Sequence, residues 1–324
     1  MAVERIWVVV EPAGGGAATN GLELLAGARG LAATVEAVTF GDANAAAATL
    51  GDHGAATVLT VDTGNAMAGV PVAAAIVAAL SAREGGRRPT AILLPQTYEG
   101  RDIAGRLSVA LDAPVLANVV GLSDGGGRLV AEHAVFGGST MVKAAFTTDR
   151  LQLFLVRPKT FVAEGGAGAA GTVAALPIPD TGRPGATTVL ARHTEERQGP
   201  KLDEAAVVVS GGRGLVDKDR YALVEELARL LHGAPGATRA IVDAGWVPYS
   251  YQVGQTGKTV KPDVYVAVGI SGATQHMVGM KGAKKIIAIN KDRDAPIFAI
   301  CDLGIVGDAT KILPKLIDAL KNRS

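Results

Sequence analysis

The residues with the clearest chemical potential lie in the last third of the chain, in two glycine-rich turns. One turn, residues 253–258, reads VGQTGK, and the other, residues 269–272, reads GISG. Glycine-rich turns between a strand and a helix expose backbone N–H groups that bind anions, most often phosphates. Thr256, Gln275 and His276 add polar side chains nearby in the sequence. We interpret this stretch as the binding site of a phosphate-bearing cofactor.

Two other glycine patterns suggest nucleotide motifs and fail on spacing. A Walker P-loop requires a glycine five residues before the glycine of its Gly-Lys pair, and Gln252 occupies that position relative to Gly257. This turn also precedes a strand rather than opening a helix. The run Gly14, Gly15 and Gly16 lacks the order G-x-G-x-x-G. We interpret that run as a flexible turn and exclude a P-loop.

Regular elements around the second turn would position its donors. Residues 264–268 form a β-favouring apolar run, residues 273–281 have helical character with Ser271 placed to cap them, and residues 284–290 form a second apolar run. The pattern predicts a strand, helix, strand unit with a right-handed crossover. The free N–H groups and the helix dipole then converge beyond the carboxyl end of the first strand.

The rest of the chain predicts two doubly wound α/β domains with mostly parallel sheets. In the first domain we expect strands at 6–10, 34–40, 57–61 and 91–94 and helices at 19–31, 43–50, 72–83 and from 97. Shorter runs at 119–122, 129–135, 141–147 and 153–156 predict added antiparallel strands. In the second domain we expect strands at 206–209, 238–243 and 296–301 and helices at 217–232 and 310–320, the last interrupted at Pro314.

The domain boundaries follow from composition. Residues 165–200 are rich in Gly, Ala, Pro and clustered charge with little periodicity, which is typical of a linker or an arm on a partner. We therefore expect an N-terminal domain at 1–164, a linker at 165–200 and a nucleotide-binding domain at 201–324. His193 in the linker and His133 in a predicted strand have no second metal-ligand type at metal spacing, so no metal site is expected.

Composition limits the class of protein. A hydrophobic content of 48% and a mean hydropathy of +0.27 over 324 residues exclude a disordered chain. The net charge of +1, with no aromatic-interleaved basic patch, does not indicate nucleic acid binding. Cys301 is the single cysteine, which favours a reducing compartment. Without a secretory signal or an apolar run long enough for a transmembrane segment, we expect a cytoplasmic, bacterial-type protein.

Several ordered motifs resemble one protein family. Residues 264–276, VYVAVGISGATQH, followed by Gly279 and the run IIAIN at 286–290, resemble the C-terminal signature of electron transfer flavoprotein α subunits. Residues 253–258 are similar to the flavin loop of that family, and GRDIAGRL at 100–107 also matches its pattern. The sequence departs from the family pattern at Val264 and Thr274, where residues of similar size are usual.

The resemblance implies FAD in the C-terminal domain and assigns roles to individual residues. Thr256 would hydrogen-bond the flavin N5, Arg239 would lie against the ring and His276 would lie near O2, so these three would tune the flavin redox chemistry. Positive charge there would favour anionic reduced flavin. The remaining implied cofactor-binding positions are Arg213, Thr238, Val253, Gly254, Gln255, Ser271, Gly272, Ala273, Thr274, Gln275, Asn290, Asp308 and Ala309.

The resemblance also implies a function. The chain would be the α subunit of a heterodimer with a β subunit, a redox carrier rather than an enzyme with its own substrate. It would shuttle single electrons from dehydrogenases, such as the acyl-CoA dehydrogenases of fatty acid β-oxidation, to a quinone oxidoreductase of the respiratory electron transport chain. AMP or a second FAD would lie on the β subunit.

Two alternatives remain open from the sequence. One is an electron-bifurcating, NADH-dependent member of the same family, which flavin count per heterodimer and NADH oxidation would distinguish. The other belongs to a different class, a nucleotide-binding module without redox function that uses the same turns for an adenine nucleotide. Absorbance of the purified protein in the flavin bands separates that module from a flavoprotein.

Overall fold

The computed structural model describes residues 3–13, 16–41, 46–83, 87–136, 140–168, 171–191, 199–202 and 205–322. The chain divides into two compact units, residues 1–193 and 194–324. Each unit is built on a parallel sheet with buried apolar clusters on both faces. The expected α/β class with two doubly wound parallel sheets is confirmed.

The first unit contains twelve strands and four α-helices among its described residues. The strands are β1 (Val3–Val10), β2 (Pro12–Ala13), β3 (Gly16–Ala17), β4 (Ala32–Phe40), β5 (Thr57–Val61), β6 (Ala91–Pro95), β7 (Val115–Val119), β8 (Gly121–Asp124), β9 (Leu129–Val135), β10 (Thr140–Ala144), β11 (Gln152–Val156) and β12 (Thr172–Ala175). The helices are α1 (Thr19–Arg29), α2 (Ala47–Asp52), α3 (Gly69–Ser81) and α4 (Tyr98–Leu111).

The main sheet of this unit has seven parallel strands in the order β12-β5-β4-β1-β6-β11-β7. The central strand β1 is buried on both faces because its side chains alternate between two clusters: Ile6, Val8 and Val10 pack with α1 and α2, whereas Trp7 and Val9 pack with α3 and α4. Burial on both faces explains why the strand is a continuous apolar run. Because the middle of such a strand is buried, polar residues that could bind a ligand lie at its ends.

The predicted antiparallel strands are only partly correct. β8, β9 and β10 do form a separate antiparallel sheet. β11, predicted as one of them, instead lies parallel between β6 and β7 in the main sheet, where all its side chains are buried. The predicted strand at 119–122 spans the end of β7 and the start of β8. Short glycine-divided runs do not by themselves show which sheet a strand joins.

Part of the predicted linker belongs to the first unit. β12 pairs in parallel with β5 at the edge of the main sheet, and Thr188 forms a bridge with Ala66. A weakly periodic, exposed edge strand lacks the apolar pattern that sequence analysis relies on. Residues 192–198, with His193, lie outside the described residues, and the predicted linker there stays a prediction.

The second unit has five parallel strands in the order β14-β13-β15-β16-β17. They are β13 (Val207–Gly211), β14 (Ala234–Ala237), β15 (Val264–Val268), β16 (Lys285–Asn290) and β17 (Leu303–Val306), with helices α5 (Ala222–Leu230), α6 (Arg239–Val242), α7 (Thr274–Met277) and α8 (Ala309–Lys321). From β13 the chain passes to β14 on one side and later to β15 on the other. The topological switch point therefore lies between β13 and β15, where α/β sheets bind ligands.

Three expectations for the second unit are wrong. The predicted strand at 238–243 is the helix α6, and the strand lies just upstream in β14. The predicted strand at 296–301 is a 3₁₀ turn at Pro296–Ala299, followed by β17. The helix predicted at 273–281 is only the four residues of α7. Apolar runs this short fit a strand or one helical turn equally well, so the sequence alone could not assign them.

The two longer helices were predicted more accurately. α5 occupies the centre of the predicted helix at 217–232 and is preceded by a 3₁₀ turn at Asp219–Tyr221. α8 continues through Pro314 instead of being interrupted there, with Leu313 and Ile317 buried on the side that packs on the sheet. No helix in the described ranges has the length and apolar character needed to cross a membrane.

Candidate cofactor site

The switch point of the second sheet is lined by backbone. The Gly212 N–H donates to the Val268 carbonyl over 2.9 Å, and the Gly214 N–H donates to the Gly269 carbonyl over 2.9 Å. A Cβ on Gly212 would lie 2.5 Å from the Gly269 oxygen, so a side chain cannot enter between these turns. The N–H groups of Gly212 and Gly214 are therefore used within the protein and are not available to a phosphate.

The turn after β15 retains its donors. The N–H groups of Ser271, Gly272 and Ala273 make no backbone hydrogen bond within the described part of the chain. Gly272 has a φ of +90°, and a Cβ there would collide with the backbone of Ile297. The N-cap residue of α7 is Ala273 and makes no side-chain cap, so the predicted capping role of Ser271 is wrong. Consecutive unpaired N–H groups at a helix start suit an anion.

Two predicted residues lie where β14 ends. Thr238 is the N-cap residue of α6, yet its hydroxyl does not cap the helix, and its buried Oγ1 has no hydrogen-bond partner among the described residues. A threonine at this position usually accepts a helix N–H. Arg239 is exposed and pairs with Asp243, Nε to Oδ2 at 3.1 Å. Exposed pairs of this kind hold a side chain weakly, so the guanidinium can reach another anion.

The loop at 253–256 is tied to two parts of this unit by its backbone. The Val253 N–H donates to the Ala237 carbonyl over 2.9 Å, and the Gln255 N–H donates to the Gln275 carbonyl over 2.7 Å. Gly254 has a φ of +143°, which only glycine adopts readily. The loop is therefore fixed between the end of β14 and α7.

Thr256 is exposed at the tip of this loop but is anchored from below. The buried Gln252 side chain donates from Nε2 to Thr256 Oγ1 over 3.0 Å. The Tyr249 hydroxyl donates to the Thr256 carbonyl oxygen. The threonine hydroxyl is thus presented in a defined orientation at the surface.

His276 lies in the interior rather than at the surface. Its Nδ1 is 3.0 Å from the Val253 carbonyl oxygen and its Nε2 is 2.9 Å from the Tyr265 hydroxyl. A carbonyl only accepts, so Nδ1 carries the hydrogen and Nε2 accepts from Tyr265. Burial lowers the pKa of His276 to about 4. Near neutral pH the ring is therefore uncharged in this structure, and it fixes the loop through Val253.

The predicted residues beyond β16 and β17 are engaged by the protein. The Asn290 amide donates from Nδ2 to the Ile270 carbonyl over 2.8 Å. Asp308 caps α8 by accepting from the Thr310 N–H over 2.9 Å and from the Thr310 hydroxyl. The Thr310 hydroxyl and then its N–H hold the pKa of Asp308 below its usual range. Both side chains shape the turns at this edge of the sheet.

The structure brings the predicted positions to one edge of the second unit, the carboxyl ends of its strands and the loops after them. Exposed side chains or backbone there belong to Arg213, Arg239, Gln255, Thr256, Ser271, Ala273, Thr274 and Gln275, and buried or half-buried positions are Thr238, Val253, Gly254, Gly272, His276, Asn290, Asp308 and Ala309.

Sequence reasoning missed three supporting residues. From the sequence, Gln252 only excluded a P-loop, Tyr249 was assigned no role, and Tyr265 was assigned only to a strand. Their contacts with Thr256 and His276 carried no sequence signal, because no spacing rule links these positions and only the fold brings them together.

No group of three metal-ligating side chains occurs among the residues that the structure describes. Cys301 is half-buried, and its Sγ donates to the Phe298 carbonyl over 3.5 Å.

A parallel sheet with close-packed glycine turns at its switch point, beside a turn whose N–H groups are unpaired among the described residues, is typical of α/β proteins that bind nucleotide cofactors. Family models match both units: the electron transfer flavoprotein domain matches residues 6–181, and the electron transfer flavoprotein FAD-binding domain matches residues 201–281. The chain belongs to the electron transfer flavoprotein α-subunit family, and FAD is the cofactor of its second unit.

Relatives in other organisms are similar over most of the chain. The electron transfer flavoprotein subunit alpha of Mycobacterium leprae (strain TN) is 43% identical over 252 residues, which cover 76% of each chain. The subunit alpha of Paracoccus denitrificans is 42% identical over 229 residues, covering 71% of this chain and 72% of the relative. Protein FixB of Clostridium saccharobutylicum is 36% identical over 322 residues, covering 98% of this chain and 96% of the relative.

Proposed function

We propose that this chain pairs with a β subunit and holds FAD at the carboxyl edge of its second sheet, where the flavin carries single electrons between partner proteins. One observation carries the placement of the cofactor: the buried Thr238 hydroxyl has no partner among the described residues, at the edge where the 271–273 turn also has unpaired N–H groups. An unsatisfied buried hydroxyl costs about 1–3 kcal/mol, which a ligand acceptor or donor would remove.

The residues at this edge fit FAD by chemical type. The N–H groups of Ser271, Gly272 and Ala273 suit the pyrophosphate, and the hydroxyls of Thr238 and Thr256 suit the polar atoms of the isoalloxazine. Arg213, Val253, Gly254, Gln255, Thr274, Gln275, Asn290, Asp308 and Ala309 complete the proposed binding positions. When bound, FAD supplies a ring that accepts and releases electrons one at a time.

Charge at the proposed site comes from Arg239 alone among the three residues expected to tune the flavin. A guanidinium stays protonated at every working pH and lowers the energy of a nearby anion. Thr256 contributes an oriented hydroxyl. The neutral His276 contributes the position of Val253, since its Nδ1–H holds that carbonyl at 3.0 Å.

The electron donors and acceptors follow from the family resemblance. We propose that dehydrogenases, including those that oxidise acyl-CoA in fatty acid β-oxidation, reduce the heterodimer, and that a quinone oxidoreductase reoxidises it. The protein would act in the cytoplasm as a carrier without a substrate of its own, and AMP or a second FAD would lie on the β subunit.

We propose that the first unit is the scaffold of the heterodimer. Its antiparallel sheet exposes Met141 and Val142 of β10 by 52% and 44%, and the nearby Phe136 by 84%. Because successive residues of a strand face opposite sides, Met141 and Val142 expose apolar surface on both faces of this sheet, and exposed apolar surface marks sites that contact other proteins. They support a protein partner for this unit.

The test is co-expression with the β subunit, followed by absorbance in the flavin bands and a flavin-to-protein ratio. We expect one FAD on the α subunit. The Thr238→Val variant should bind FAD about tenfold more weakly, since one hydrogen bond of about 1.4 kcal/mol is lost. Thr60→Val, in β5 of the first unit, serves as the matched control. A colourless heterodimer that refuses added FAD would contradict the proposal, and unchanged affinity in Thr238→Val would contradict the placement.

A further inference from the structure

Gln252 is a buried polar residue for which the proposed cofactor contacts give no role. Its side chain is 2% exposed, and it lies one residue before the flavin loop at 253–256. Its amide donates from Nε2 to Thr256 Oγ1 over 3.0 Å. A glutamine buried this completely is uncommon unless its hydrogen bonds are needed.

The surrounding backbone holds Gln252 in place. Its N–H donates to the Tyr249 carbonyl over 2.9 Å, and its carbonyl accepts from the Lys258 N–H over 2.7 Å. A Cβ at Gly257 would collide with the Gln252 carbonyl oxygen and would lie 2.9 Å from its Cγ. The absence of a side chain at Gly257 therefore lets the glutamine lie directly beneath the loop.

This contact determines what the Thr256 hydroxyl can do. A hydroxyl has one hydrogen to donate and two lone pairs that accept. The Gln252 amide occupies one lone pair from the buried side, and Tyr249 fixes the backbone of the same residue through its carbonyl. The hydroxyl hydrogen is consequently left for an acceptor on the exposed side of the loop.

We propose that Gln252 is a positioning residue that fixes Thr256 as a hydrogen-bond donor to the flavin. This inference rests on the proposed function, because it requires Thr256 to contact the isoalloxazine. Oxidised flavin presents a lone pair at N5, whereas fully reduced flavin presents an N–H there. A donor fixed in direction distinguishes these two states, so Gln252 alters the relative affinity for oxidised and reduced FAD without touching the cofactor.

The test uses the FAD-loaded heterodimer and three variants: Gln252→Met, Thr256→Val and the double variant. The measurements are the flavin midpoint potential by spectroelectrochemistry and the dissociation constant of oxidised FAD. Thr256→Val should change the ratio of affinities for oxidised and reduced FAD about fivefold, the effect of one hydrogen bond. Gln252→Met should shift the potential in the same direction. In the Thr256→Val background, Gln252→Met should add no further shift.

The matched control is Gln152→Met, the same change at a buried glutamine of β11 in the first unit, which should leave the potential unchanged. If Gln252→Met does not fold, Gln252→Asn replaces it, because the shorter side chain keeps an amide that no longer reaches Thr256. The same shift is then expected.

The outcomes separate the inference from the proposed function. If Thr256→Val leaves the potential unchanged, the proposed flavin contact of Thr256 fails, and the inference fails with it. If Thr256→Val shifts the potential but Gln252→Met does not, or shifts it in the opposite direction, only the inference fails. Equal shifts by Gln252→Met in both backgrounds show that Gln252 acts independently of Thr256, which also overturns the inference.

Discussion

Both units have a crevice at the switch point of their parallel sheet, but different residues line it. In the first sheet, β4 and β6 lie on opposite sides of β1, so the switch point lies between β1 and β6. Glu11 follows β1 and Thr97 follows β6. The Thr97 hydroxyl donates to Glu11 Oε1 and accepts from the Gly100 N–H over 2.9 Å, which caps α4. In the second sheet the residues that directly follow β13 and β15 are Gly212 and Gly269.

The difference shows how the same fold can present different groups at its switch point. Glu11 and Thr97 occupy the start of α4 with a carboxylate and a cap, which is where a phosphate would otherwise bind. In the second unit the backbones of two glycine turns contact each other at the switch point. The neighbouring turn keeps its N–H groups unpaired in the described structure. The residues at the strand ends decide the function.

Near each crevice lies a titratable group that burial shifts toward its neutral form, Glu11 in the first unit and His276 in the second. Burial raises the pKa of Glu11 above its ordinary value of 4.5, more than the Thr97 hydrogen bond lowers it. Burial lowers the pKa of His276 from 6.5 to about 4. The contributions of Glu11 and His276 to stability should therefore depend on pH in opposite directions.

The largest expected effect tests the backbone contact of the second crevice. In Gly269→Ala, the new Cβ would lie 2.8 Å from backbone carbons of Gly214, so we expect a loss of about 3 kcal/mol or more in the free energy of unfolding. Gly245→Ala is the matched control, since Gly245 also has a positive φ, +71° against +62°, but open space around it. It should lose only about 1 kcal/mol. Equal losses in urea unfolding would refute the close contact.

The next effect concerns His276. Its folded-state pKa lies below its unfolded value, so its stabilisation is present above pH 6.5 and is lost as the pH falls toward about 4. Between pH 7 and pH 4.5 this amounts to about 2 kcal/mol. The His276→Gln variant should lose that part of the pH dependence in urea unfolding, whereas His232→Gln, at an exposed position, should retain it. An unaltered pH profile for His276→Gln would show that the ring is not buried neutral.

The smallest effect concerns Glu11. Its folded-state pKa is raised, so its stabilisation is full below about pH 4.5 and is lost as the pH rises through the folded-state value. Glu11→Gln keeps an acceptor for Thr97 and removes the charge. We expect it to raise the free energy of unfolding at pH 7 and to leave it unchanged near pH 4. A loss of stability at pH 7 would mean that the carboxylate is stabilised where it lies.

The fold was predictable wherever a long periodic run existed. The strands β1, β4, β5 and β6 and the helices α1, α3, α4, α5 and α8 follow from apolar spacing and burial. β14 reads Ala-Pro-Gly-Ala, which suggests a turn, yet it pairs with β13 because its small residues allow close approach. The local sequence also did not show which strands β11 pairs with, because strand order depends on contacts between distant residues.

The position of the candidate site could be predicted from the sequence, but the hydrogen bonds that its polar groups already make could not. Residue types and family resemblance located the turn at 271–273 and the loop at 253–256. Whether an N–H or an imidazole is free depends on contacts across the fold. The donors of Gly212 and Gly214 are used by the neighbouring turn, and the His276 ring is used by Val253 and Tyr265. Sequence spacing carries no information about such occupancy.

One face of the second sheet is covered mainly by short loops rather than long helices, and these loops are joined to one another. The Val260 N–H donates to Gly279, Gln255 to Gln275 and Ile297 to Ser271. Opening any one loop removes support from the next, so this layer should open as a cooperative unit. A ligand that touches a single loop would then slow amide hydrogen exchange throughout the layer, including at residues far from its own contacts.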